Sequence, residues 1–130
     1  MGQYTPGVIM SLEAGADLSA NQYCFVMAAG TGVAGNRKVV AATANAITIG
    51  VLNNAPVAGR EAEGIVTGSA KLKVAGEIAV GAKIGSDANG KGVAVTGAGN
   101  YISAMALTYG AADNDIIEAL VCHAELGGTA

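Results

Sequence analysis

The sequence predicts an all-β fold, a compact β-barrel or β-sandwich of short strands with an extended N-terminal arm. Three observations carry this. Twenty glycines cut the 130-residue chain into short apolar runs, a spacing that suits strands and turns because glycine inside a helix costs about 1 kcal/mol relative to alanine. Several of those runs alternate with a period of two, as half-buried strands do. Turn-forming strings fall between them. No linker or composition shift divides the chain, so residues 1–20 read as the arm and residues 21–130 as one β domain.

From the N-terminus, residues 1–12 hold Tyr4, Val8, Ile9 and Met10 between Gly2, Pro6 and Gly7. Two readings stay open: a first strand of the core, or an arm that adds to a neighbouring sheet edge, as extended peptides can. Under the second reading these four residues are the contact residues. Residues 11–20 allow a short helix that Gly15 interrupts. In residues 22–27, Tyr23, Phe25 and Met27 share a face. Residues 37–41 form a further candidate strand. In residues 46–51, Ile47, Ile49 and Val51 share a face. Residues 64–67 follow as a strand candidate. The clearest alternation is residues 69–74, with Ser69, Lys71 and Lys73 toward water and Ala70, Leu72 and Val74 inward. Residues 87–91 carry Asn89-Gly90, a strong turn signal, ahead of a strand at 92–96. A strand at 102–107 comes next. Residues 113–126 fit a long strand with Ile117, Ala119 and Val121 on one face. They also fit a helix, with Asp115 and Glu118 as a capping box and Gly127 as its end. The strand is the favoured reading.

Composition argues for a protein that binds and against one that catalyses. Aromatics are 4% of the chain and tryptophan is absent, so the core is built of small side chains that each remove little apolar area from water. Charged residues are only 13%, about half the usual share of roughly 25%. Both facts favour a domain that gains stability by assembling, with part of its surface covered by partners. Net charge is −3 and the seven basic residues are scattered, which gives no stripe for phosphates; no nucleic-acid partner is expected. No apolar run reaches the length of about 20 residues of a membrane span, no signal peptide is evident, and Pro6 breaks the myristoylation pattern, so no membrane partner is expected.

The chemistry-bearing strings are incomplete. Residues 30–35 (GTGVAG) match GxGxxG, yet the residues after them look extended and the next acid is Glu61; a Gly-rich turn is the better reading. His123 is the one histidine and reads as a surface or strand-end residue, without the partners of a metal site. Cys24 and Cys122 sit in apolar runs and read as small buried hydrophobes, with their pairing left open. Glu61 with Glu63, and Asp113 with Asp115, read as solvated turns and not as an acid/base pair. Residues 74–85 have the hairpin rhythm of biotinyl and lipoyl carrier domains but lack their lysine motifs. No catalytic residue, cofactor or metal is expected.

Read with its flanks, the chain resembles the tailed-phage capsid cement or decoration proteins. The resemblance rests on phrases in order: Ala20-Asn21-Gln22-Tyr23-Cys24-Phe25-Val26; Ile49-Gly50-Val51-Leu52-Asn53-Asn54-Ala55-Pro56 through Gly59; Val66-Thr67-Gly68-Ser69-Ala70-Lys71-Leu72-Lys73; a hairpin over residues 76–91, one residue shorter before Ile78 than the family phrase; Ala106-Leu107; and the apolar run at 116–121. Each phrase is moderately specific, and their order and spacing add weight. The resemblance implies a compact β-barrel or sandwich, commonly a homotrimer. Its partners would be itself and the major capsid protein, and no catalytic residue is implied. It also implies a virion protein, made in the host bacterial cytoplasm, that binds the outer surface of the expanded shell at three-fold or quasi-three-fold positions. Alternatives are another self-assembling head or tail part, such as a head-fibre base, and a carbohydrate-binding β-sandwich, for which aromatic platforms are few.

Overall fold

The computed structural model describes residues 6–29 and 37–125. Among these described residues are nine strands: β1 (Pro6–Ala14), β2 (Phe25–Ala28), β3 (Lys38–Ala41), β4 (Gly50–Leu52), β5 (Glu61–Lys73), β6 (Lys83–Ser86), β7 (Gly92–Ala94), β8 (Tyr101–Ala106) and β9 (Ile116–Glu125). They form one sheet in the order β1-β3-β2-β4-β5-β9-β8-β6-β7, and β1 pairs in addition with β5. That extra pairing closes the first five strands into a ring. The β1–β3 pair is parallel, through Glu13–Lys38 and Ala14–Val39; the other ring pairs are antiparallel.

The all-β expectation holds, and the described residues contain no helix. The helical alternative for residues 113–126 gives way to β9, because Ile117, Ala119 and Val121 are buried with strand periodicity. The short helix allowed at 11–20 is absent too: β1 runs to Ala14, and Asp17 then accepts a hydrogen bond from the Ser19 N–H at 3.0 Å, forming a local turn. Two candidate strands, 64–67 and 69–74, are pieces of the single strand β5. Gly68 between them adopts φ of +84°, and the β1–β5 register shifts beside it, at Val8. This is bulge geometry, which glycine allows without a Cβ clash. The strand expected at 46–51 shrinks to Gly50–Leu52. Asn45 takes a positive φ, and the chain then turns Thr48 inward and leaves Ile47 68% exposed.

Two hydrophobic clusters lie on the two sides of β2 and β4. Inside the ring are Leu12, Ala14, Leu18, Val26, Val39, Leu52 and Ala62. The larger cluster sets Phe25, Val51 and Ile65 against Leu72, Ile84, Ala104, Ile117 and Val121 of the open half of the sheet. Successive residues of β2 (Phe25, Val26) and β4 (Val51, Leu52) therefore go to different cores, which is the pleat of a strand buried on both faces. Each fully buried side chain of this size contributes about 1.5–3 kcal/mol relative to exposure.

The turn at 87–91 joins β6 to β7 as the Asn-Gly signal predicts. The Asp87 carboxylate accepts from the N–H groups of Asn89 (2.8 Å) and Lys91 (2.9 Å). Gly90, at φ +84°, takes its carbonyl across to β2, where the Phe25 N–H donates to it at 2.7 Å. A Cβ on Gly90 would lie 2.9 Å from the Phe25 carbonyl oxygen.

Candidate interaction surface

The residues that could do chemistry stand apart. Among the described residues no group of three or more His, Cys, Asp or Glu could hold a metal ion. His123 is exposed on β9. Cys24 is buried and Cys122 half-buried, and both are free thiols; burial pushes both above the ordinary thiol range, with Lys73 and Lys91 opposing it at Cys24. The string at 30–35 lies outside the described residues. Asp113 and Asp115 do occupy a turn, and Asp113 pairs with Lys91 at 3.0 Å. Glu61 and Glu63 do not: they sit within β5, where Glu61 accepts from the Ser11 hydroxyl at 2.6 Å and the Glu63 N–H donates to Asn54 at 3.0 Å.

What the surface offers instead is apolar side chains. Of the four contact residues expected near the N-terminus, Tyr4 lies outside the described residues. Val8 and Ile9 are 50% and 47% exposed, adjacent on β1 where the bulge lets both escape burial. Met10 is half-buried against the inner cluster, opposite Gly64. Val8 and Ile9 are therefore open to solvent, and Met10 packs partly against the core.

Sequence reasoning missed three further features. A cleft of about 150 Å³ is lined by Ile47, Thr48, Tyr101, Ile102, Ser103, His123 and Ala124. Its buried polar pair is satisfied internally, with the Thr48 hydroxyl donating to Ser103 Oγ at 2.8 Å. Second, the outer face of β5, β9, β8 and β6 carries an apolar centre. Register places Lys83 beside Met105, Met105 beside Leu120 and Leu120 beside Ser69 in one row across the four strands. The next row holds Leu107, whose N–H donates to the Glu118 carbonyl at 2.8 Å, then Glu118 and Lys71. Third, the segments around Val80 and Tyr109 form a tip. The Gly81 N–H donates to the Ala106 carbonyl at 2.8 Å, and Ile78 and Gly110 exchange N–H···O bonds at 2.9 Å. Val80 and Tyr109 remain 64% and 56% exposed there. The Tyr109 hydroxyl donates to the Glu77 carboxylate at 2.6 Å, which holds its pKa above the ordinary phenol range. Leu120 was legible, since it alternates with Ala119 and Val121. The tip and cleft were not, because tertiary contacts and not periodicity bring their segments together.

No curated protein matches the chain. Among solved structures, it is similar to the head fibre gp8.5 N base of bacteriophage phi29, at 12% identity and a TM-score of 0.71, covering 92% of this chain and 97% of that one. At that identity the likeness establishes a shared fold. The family model for phage cement protein matches residues 10–123, nearly the whole described chain, in line with the ordered phrases read from the sequence. The chain belongs to the phage cement protein family and is a structural protein of the phage head.

Proposed function

We propose that this protein binds the outer surface of the expanded phage shell, through the major capsid protein, as a homotrimer at three-fold or quasi-three-fold positions, and stabilises the shell there. Family membership over residues 10–123 is the observation that carries this reading. The surface supports it, because apolar side chains stand exposed on β1, at the tip and on the outer sheet face of a domain whose two cores are already complete.

The physics needs no chemistry. A ligand that binds only the expanded lattice stabilises it by mass action. Three linked copies turn weak single contacts into tight attachment through effective concentration. On β1, Val8 and Ile9 are the contact residues of this reading, and Tyr4 belongs with them.

Purified protein mixed with expanded and unexpanded shells should co-sediment with the expanded form only. Val8→Asp combined with Ile9→Asp should leave the fold intact and weaken co-sedimentation by about tenfold or more, as loss of central apolar contacts does. Binding to neither shell form would remove the cement reading. The second reading, a head-fibre base, is favoured by the phi29 likeness; it expects binding that does not distinguish shell states.

A further inference from the structure

The chain carries a net charge of −3, but the charge is unevenly laid out. The outer face of β5, β9, β8 and β6 holds three lysines around its apolar centre. Lys71 and Lys73 lie on β5 and Lys83 on β6, with Met105 and Leu120 between them, and Glu118 lies beside Lys71. The tip has the opposite sign. Glu77 and Asp115 stand near the exposed Tyr109, which donates to Glu77, and Asp113, two residues from Asp115, pairs with Lys91, so the carboxylates remain in excess there. The two patches abut at Leu107, which is itself exposed.

Both patches have an apolar centre and a charged rim, and the rims are opposite in sign. Face-to-face pairing of two identical sheet faces would oppose lysine to lysine. Seating the tip of one copy on the sheet face of the next would set carboxylate against lysine and bury Tyr109 and Val80 against Met105 and Leu120. Such a contact joins unlike surfaces, so where each copy makes it in one direction it repeats head to tail and closes into a ring when the rotation permits. We propose that a second copy of this chain is the occupant of the lysine-rimmed sheet face, docked through its acidic tip. The inference rests on the self-association proposed above and names the two surfaces that make it.

The test is a charge exchange followed by analytical ultracentrifugation of the full chain in the absence of shells. Wild type should sediment as an oligomer. Lys73→Glu with Lys83→Glu should dissociate it, as should Glu77→Lys with Asp113→Lys, each weakening association by about tenfold or more, because like charges then face each other across the contact. The chain carrying all four substitutions should reassemble. Circular dichroism checks that each variant is folded; where a reversal unfolds the chain, Lys73→Gln with Lys83→Gln and Glu77→Gln with Asp113→Asn are used, and these too should weaken association. A monomeric wild type, one-sided variants that associate as wild type does, or a fourfold variant that stays monomeric would each overturn the inference. Shell co-sedimentation of wild type is measured separately. Shell binding without self-association through these faces removes this inference and leaves the cement reading standing, and the reverse result removes the cement reading alone.

Discussion

Thr48 and Ser103 show how much one side-chain pair can matter. They are 4% and 2% exposed, they come from a loop and a strand far apart in sequence, and their hydroxyls meet at 2.8 Å under the cleft. Removing one partner leaves the other buried and unsatisfied, at a cost of about 1–3 kcal/mol, whereas removing both leaves nothing unpaired. Ser103→Ala should therefore lower the urea midpoint, and Thr48→Val with Ser103→Ala should cost less than the sum of the single changes. Additive losses would mean that the pair is not coupled. Nothing in the sequence announces this pair. Alternation over residues 46–51 points to Ile47 as a buried side chain and Thr48 as an exposed one, and the structure has them the other way round. Asn45 at positive φ and the demand of Ser103 for a partner outweigh the local pattern.

At the scale of elements, the turn at 87–91 is the most constrained connection. Gly90 combines φ of +84° with a Cβ position 2.9 Å from the Phe25 carbonyl oxygen, so any side chain there meets both backbone strain and a backbone atom that β2 pairing holds in place. Gly90→Ala should cost about 1–3 kcal/mol and lower the thermal midpoint. Gly59→Ala, also at φ +84° but with nothing within 4 Å of the added Cβ, should cost less. Equal losses would show that the clash at Gly90 is relieved by movement. Asn89-Gly90 was legible because a turn's chemistry is local. The strands with clean alternation were legible for the same reason: Lys71 and Lys73 on β5 face out, and Ile117, Ala119 and Val121 on β9 face in, although Ser69, expected toward water with the lysines, is buried where β9 pairs with it. The length of β5 was obscured by Gly68, which reads as a break and is in fact a bulge. The placement of Glu61 and Glu63 on that strand was hidden by flanking small residues that look like a turn.

For the whole molecule, the shared wall of β2 and β4 decides how stability is distributed. Phe25 and Val26 are both fully buried, but in different clusters, so neither core can open without disturbing the other. The domain should unfold in one transition, and Phe25→Ala should lower its stability by about 3–5 kcal/mol. Cys24, adjoining this wall, reports on it. Its buried thiol should react with a thiol reagent only at denaturant concentrations where the far-ultraviolet signal is also lost, while half-buried Cys122 labels earlier. Labelling of Cys24 ahead of that signal would show that the halves open separately. The all-β class and the family were readable from short phrases in order. The ring was not, because its closure depends on pairings between distant segments that leave no local mark, among them the parallel pair of β1 with β3.

That closure has a consequence for the chain as it is made. The partners of β1 are Lys38 and Val39 on one side and residues from Glu61 to Gly68 on the other. Synthesis delivers β1 ahead of its antiparallel partner, whose paired residues follow from Glu61 to Gly68. Met10 and Leu12 leave the ribosome before any strand exists to cover them, and the barrel stays open until residue 68 emerges. The nascent chain thus carries β1 uncovered until β5 emerges, and the ring can close while β6, β7, β8 and β9 are still to be made.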